Sequence, residues 1–189
     1  MEEDTLVEMA TKGNEEAFEA LLGPHILNAR KTAYLLLHDY SLAEDAVLEA
    51  MLQTYYSLKR FNPNKGLFKT WFNGIVVNCA LKTSRRKRFW LQIGKQPADH
   101  HTPEMKHLID ENAKSIYSCV QQLSFKLRAV IILHYYQELS IEEIGDTLQI
   151  NHGTVKSRLF NARKKLKKLM RENPDVDNSM GGNAVWNKN

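Results

Sequence analysis

Apolar residues recur three and four positions apart along nearly the whole chain, and strand-like alternation is scarce. The pattern therefore predicts helices almost throughout. It is sharpest in the last third, where Val155, Leu159, Ala162, Leu166 and Leu169 are spaced four, three, four and three apart. At about 100° per residue these side chains form one stripe, which must face a core. Upstream, Ser140 followed three residues later by Glu143 has the form of a capping box, in which hydroxyl and carboxylate satisfy the first free amides of a helix. A helix of about eight residues is expected there, then a turn containing Gly153, then a long helix capped by Asn151. That succession is a helix-turn-helix.

The remaining elements follow from similar punctuation. Asn14 can cap a helix that opens with Glu15 and Glu16 and carries Phe18, Leu21, Leu22, Ile26 and Ala29 at helical spacing. Gly23 and Pro24 interrupt it, and a kink or break is expected, because proline removes a hydrogen bond and crowds the preceding turn. A second capping box, Ser41 with Glu44, opens a helix to about Leu58, which stops at RFNPNKG, where Pro63 and Gly66 favour a loop. Another helix runs from about Phe68 through TWFNGIVVNCALKTSRRKRF. From Trp90 to about Asp110 the periodicity dissolves; after it come a helix ending near Leu123 and one across FKLRAVIILHYYQ. The expectation is an all-α chain of two small helical domains joined by a flexible linker. Residues 1–90 form the first, 91–112 the linker and 113–171 the second, which holds the helix-turn-helix. The tail, 172–189, has too little apolar content to fold alone.

Composition narrows the class. With 189 residues, 43% of them hydrophobic, the chain can pack a globular interior. Cys79 and Cys119, forty residues apart, form neither a disulfide framework nor a CxxC pair, so packed reduced thiols are expected. The acidic start, MEEDTLVEMATKG, lacks the basic and apolar regions of a signal peptide, and no segment approaches eighteen uninterrupted apolar residues. A soluble, cytoplasmic protein with no membrane insertion is expected. His100, His101 and His107 lack a metal-binding spacing, so neither metal nor cofactor is expected. Glu44 and Asp45 are adjacent and diverge around their helix, which leaves a nuclease reading without clustered acids.

Charge is more telling locally than in its sum of +4. From Gly153 to Arg171 there are eight Lys or Arg and no acid. Arg and Lys can donate to guanine in the major groove and Asn can pair with adenine, whereas later lysines have only phosphate to neutralise. The plainer reading of Lys164 to Lys168 is a solvated face or a coiled-coil flank. The preceding capped helix and turn favour DNA. A second basic run, KTSRRKRFW at 82–90, ends the helix that holds Trp71, Phe72, Asn73 and Asn78. Cations interleaved with aromatics suit unpaired nucleic acid, through phosphate attraction and base stacking; equally, those aromatics can be core and the arginines a soluble helix end. Asp45, Leu48 and Glu49 share one helical face, either a docking patch for a basic partner or a solvated face.

In the order and separation of four segments the chain resembles bacterial RNA polymerase sigma factors of the sigma-70 family, extracytoplasmic function subgroup. The segments are NEEAFEALL at 14–22, LAEDAVLEAML at 42–52, FKTWFNGIVVNC at 68–79 with the basic run behind it, and LSIEEIGDTLQINHGTVKSRLFNARKKL at 139–166. The resemblance implies a non-catalytic subunit that directs core polymerase to promoters. It assigns Asp45, Leu48 and Glu49 to docking on the clamp helices of the largest polymerase subunit. Asn64, Phe68, Lys69, Trp71, Asn78, Arg85 and Arg86 would capture the −10 element as it opens. Thr154, Lys156, Ser157, Arg158, Asn161 and Arg163 would read the −35 element as duplex. It also implies an anti-sigma protein as regulatory partner. Three positions depart from the family pattern: Leu48 stands where Gln is common, Asn161 where a basic residue is frequent, and Ser124 where Pro is usual. The rival from another class is a helix-turn-helix regulator that is not a polymerase subunit; a receiver-type regulator would show alternating strands and helices in its N-terminal half.

Overall fold

The computed structural model describes residues 2–92 and 111–172, all α-helix, tight helical turns and short loops, with no strand among the described residues. Two compact units divide the chain, one within residues 1–101 and the other within 102–189. The expected linker at 91–112 and tail at 172–189 lie almost wholly outside the described residues, as do His100, His101 and His107.

The first unit holds α1 (Glu3–Thr11), α2 (Glu15–Leu37), α3 (Tyr40–Ser57) and α4 (Phe68–Gln92). The sequence pattern did not predict α1, a short helix with Glu3 and Asp4 in its first turn, where they favour the positive end of the helix dipole. Asn14 caps α2 as expected, its Oδ1 accepting from the Ala17 amide at 2.8 Å. Of the kink or break expected at Gly23 and Pro24, the break does not occur: α2 continues through both. Both residues are exposed, as is Ala20, whose carbonyl loses its helical donor at Pro24, so water can satisfy that group. The helix ends at His38, in the left-handed region with φ 53°.

The capping box expected at Ser41 is also corrected. Asp39 caps α3, its Oδ1 accepting from the Leu42 amide at 3.1 Å, and Ser41 already lies inside the first turn. Glu44 instead reaches Arg30 of α2, at 3.1 Å. The core between α2, α3 and α4 is built from Leu21, Leu22, Ala29, Ala33, Leu36, Ala43, Ala46, Val47, Ala50, Phe72, Val76, Val77 and Ala80. Between α3 and α4 the chain makes two short tight turns, at Leu58–Arg60 and Pro63–Lys65.

The second unit holds α5 (Glu111–Gln121), α6 (Phe125–Ile131), α7 (Ile141–Leu148) and α8 (His152–Glu172). Arg128 of α6 donates to the Gln121 carbonyl at 3.2 Å and to the Gln121 side chain, which ties α6 to the end of α5. Beyond α6 the helix widens into one π turn at Ile132–Tyr136. The capping box at Ser140 is present in full: the Glu143 amide donates to Ser140 Oγ at 3.1 Å, and the Ser140 amide to Glu143 Oε2 at 2.8 Å. The turn into α8 is made not at Gly153 but at Gln149, with φ 52°, while Gly153 is the second residue of α8. Gly145 is the glycine that the motif uses for close approach, since a Cβ there would stand 2.9 Å from the Ile150 carbonyl.

Both cysteines are free thiols and buried. Burial, and secondarily the Glu49 carboxylate, push the Cys79 thiol up to about 11. Thiolate is the reactive form, so the native chain at pH 7.5 is expected to alkylate at Cys79 roughly a hundredfold more slowly than the denatured chain. Mass spectrometry after a timed iodoacetamide pulse measures it, and equal rates would contradict the packing described.

Candidate nucleic-acid and protein interfaces

The outward faces of α3, α4 and α8 follow from what each helix buries. On α3, Ala43, Ala46, Val47, Ala50 and Thr54 face inward. Asp45, Leu48, Leu52 and Tyr56 therefore emerge on the other side, with Leu48 and Leu52 each 58% exposed and Tyr56 80%. Leu52 and Tyr56 were not among the expected docking residues. Their signal lay in a helix apolar on both sides, only one of which can be core. Tyr55 stands at the stripe's edge, where its ring meets Phe18 edge-on at 5.2 Å.

Glu49 is less available than its sequence position suggests. Its Oε1 accepts from Gln53 at 2.9 Å and lies 3.3 Å from Lys82 Nζ of α4, and these partners hold its carboxyl below the usual range. Its nearest partner is Gln53 of the same helix and its second is on α4, so the least committed part of the outward face is Asp45, Leu48 and Leu52.

On α4 the sequence-predicted residues divide. Phe68 is fully buried, its ring centroid 5.6 Å from Phe61, 5.9 Å from Trp71 and 6.1 Å from Phe72. It cannot touch nucleic acid without unpacking that cluster, and it leaves the set of direct contacts. Trp71 is half-buried, its ring centroid 5.3 Å from that of Phe61. Asn64, Lys69, Asn78, Arg85 and Arg86 are exposed. Leu67, 69% exposed, joins Asn64 and Lys65 on the loop before α4, and nothing in the periodicity singled it out. The loop is shaped by Asn62, whose side chain accepts from the Asn64 amide at 2.9 Å.

The basic run itself separates by partner. Lys87 Nζ lies 2.9 Å from Oδ2 of Asp39, the carboxylate that also caps α3, and Lys82 pairs with Glu49. These two lysines fasten α4 to α3. Arg85 and Arg86 are exposed, Arg86 near enough to Glu49 to help lower its carboxyl.

On α8, Val155, Leu159, Ala162 and Leu166 are buried, as the stripe predicted, and Leu169 is half-buried. Asn151 caps the helix, its Oδ1 accepting from both the amide and the hydroxyl of Thr154 at 2.7 Å. That hydroxyl is thereby committed to the cap. Lys156, Ser157 and Asn161 are exposed; Arg158 and Arg163 are half-buried on the flanks. Lys164, Lys165, Lys167 and Lys168 continue the exposed face, and Arg171 in the last turn complements the negative end of the helix dipole. Phe160, 63% exposed beside Asn161, is a further outward residue absent from the expected set. A capped short helix, a tight turn and a basic second helix can enter a DNA major groove. Among the described residues no group of three or more His, Cys, Asp or Glu is placed to hold a metal, and no helix is long and apolar enough to cross a membrane.

Comparison with known proteins matches both units. Residues 24–89 fit the family model described as sigma-70 region 2, and residues 113–166 the one described as sigma-70, region 4. The chain is 29% identical to the extracytoplasmic function sigma factor SigW of Bacillus subtilis, over 88% of this chain and 95% of that protein. It is 28% identical to the sigma-H factor of Pseudomonas aeruginosa, over 90% and 97%. Among solved structures it resembles the sigma factor RpoE of Bartonella quintana, seen in complex with the anti-sigma factor NepR, with a TM-score of 0.65 and 23% identity over 82% of this chain and 96% of that one.

The division of the basic run has a direct test. Replacing Arg85 and Arg86 together with Ala is expected to weaken binding of single-stranded DNA while changing stability by no more than about 0.5 kcal/mol. Lys87→Ala is expected to cost about 1–2 kcal/mol of stability, because it strips a charged partner from the nearly buried Asp39. Urea unfolding and fluorescence anisotropy separate the two effects, and the reverse assignment would contradict the structure.

Proposed function

Because the chain belongs to the sigma-70 family of RNA polymerase sigma factors, in its extracytoplasmic function subgroup, we propose that it works as an alternative sigma factor through the three exposed faces described above. It binds core RNA polymerase and directs promoter-specific initiation. The observation that carries this reading is the presence of both sigma-70 regions, in order, in one chain. A helix-turn-helix regulator acting outside the polymerase would account for the second match and not the first, so that alternative is not favoured. The chain is a specificity subunit, and nucleotide chemistry belongs to the core enzyme.

Each face takes one task in this reading. The α3 stripe of Asp45, Leu48, Leu52 and Tyr56 docks on the polymerase clamp helices: desolvation of its exposed leucines supplies affinity, and Asp45 gives orientation toward a basic partner. Leu48, apolar where the family commonly has Gln, makes this contact more hydrophobic. The loop bearing Asn64 and Leu67, with Lys69, the half-buried Trp71, Asn78, Arg85 and Arg86, holds the −10 element as it opens. Extruded bases lose a few kcal/mol of stacking and pairing. Amide, aromatic and cationic groups at the loop and along α4 offset that loss, while buried Phe68 holds the loop's base in place. The α8 face, Lys156, Ser157, Asn161 and the flanking Arg158 and Arg163, reads the −35 element; Thr154 supports it through the cap. The protein acts in the cytoplasm, where promoters and polymerase are. An anti-sigma protein that covers the α3 stripe is the regulator this reading implies.

The experiment is reconstitution with core polymerase and sequencing of the transcripts made from genomic DNA. Defined start sites sharing −35 and −10 motifs are expected, and transcription no more specific than that of core alone would sink the reading. Within the same assay, Leu48→Asp with Leu52→Asp is expected to abolish core binding. Lys156→Ala with Lys164→Ala should retain core binding and lower promoter occupancy, with a salt dependence shallower by roughly one counterion for each phosphate that the variant no longer neutralises.

A further inference from the structure

The outward face of α8 carries a neutral island inside its cationic surface. At about 100° per residue, Gly153, Ser157, Phe160 and Asn161 all fall within roughly 50° of the line opposite the buried stripe of Val155, Leu159, Ala162 and Leu166. Lys156 flanks the island, and Lys164, Lys165, Lys167 and Lys168 follow it along the helix. In a helix seated in the major groove the outward residues of its first turns meet base edges, and the cations beside and beyond them meet phosphate. This island is therefore the base-reading part of the helix.

Its chemistry is not neutral with respect to sequence. Ser157 donates its hydroxyl to the Thr154 carbonyl at 3.0 Å, and Gly153 has no side chain, which lets the backbone come close to DNA. The discriminating groups are then the exposed amide of Asn161 and the exposed ring of Phe160. A carboxamide accepts from adenine N6 and donates to N7, a pattern that guanine does not offer, and an apolar ring gains by covering the thymine methyl. We propose that Asn161 and Phe160 together select an A·T step in the −35 element, Asn161 on an adenine and Phe160 on a thymine methyl at the adjoining position.

This proposal rests on the sigma-factor reading, and the test separates the two. Reconstituted holoenzyme is used to select promoters from a library randomised across the −35 region. Wild-type holoenzyme is expected to enrich a motif with a fixed adenine and a neighbouring thymine, and replacing that adenine by guanine should weaken binding roughly ten- to hundredfold. Arginine pairs with guanine, so Asn161→Arg should convert the fixed adenine to guanine and leave the other positions unchanged. Phe160→Ala should relax the neighbouring thymine alone. If wild-type holoenzyme enriches a motif and Asn161→Arg enriches the same one, the proposal fails and the sigma-factor reading stands. If wild-type holoenzyme enriches no −35 motif, both fail. Both side chains are exposed, and circular dichroism of each variant checks that the helices are intact.

Discussion

The seam of small residues between α2, α3 and α4 decides what the first unit can present. Ala29 and Ala33 on α2, Ala43, Ala46 and Ala50 on α3, and Ala80 on α4 are all but fully buried, which lets the helices approach closely. Once α3 turns its alanines inward, Leu48, Leu52 and Tyr56 have nowhere to go but outward. Once α4 inserts Phe68, Phe72, Val76 and Ala80 into the same seam, Arg85 and Arg86 are carried to the surface. Interiors pack at nearly crystalline density and tolerate little shift, so the exposed faces of α3 and α4, proposed to meet polymerase and DNA, are held in register by contacts that lie beneath them.

Charge completes what packing begins. Asp39 uses one carboxylate oxygen to cap α3 and the other to receive Lys87 from α4, so one nearly buried acid both starts a helix and locates its neighbour. Glu49 and Lys82 make a second, exposed link between the same helices, one that screening makes worth little by itself. Together the links consume two of the cations in the basic run. Among the described residues of the second unit, the cationic face of α8 has an ion pair near its end, where Lys168 lies 3.8 Å from Glu172.

Features whose cause is local were legible in the sequence. The capping box at Ser140 was readable because both of its halves lie within four residues, and the α8 stripe because periodicity alone defines it. The box at Ser41 failed because Asp39, two residues earlier, offers a carboxylate in the capping position. Gly153 drew the turn toward itself, although Gln149 adopts the left-handed conformation that the turn needs. Phe68 looked like a stacking residue because basic and aromatic interleaving does not say which aromatics face inward; its spacing of four to Phe72 and Val76 does. The sorting of the basic run was beyond local reading, since Lys82 and Lys87 find partners 33 and 48 residues away.

In the proposed reading, separate faces of one chain meet polymerase, opened DNA and duplex DNA. Site-specific photo-cross-linking within the reconstituted holoenzyme on a promoter tests it most directly, with benzoylphenylalanine placed in turn at Leu52, Asn64 and Ser157. Attachment is expected to the polymerase largest subunit from Leu52, to the unpaired −10 region from Asn64, and to the −35 duplex from Ser157. Attachment of the Leu52 probe to DNA, or of the Asn64 probe to the −35 duplex, would contradict it.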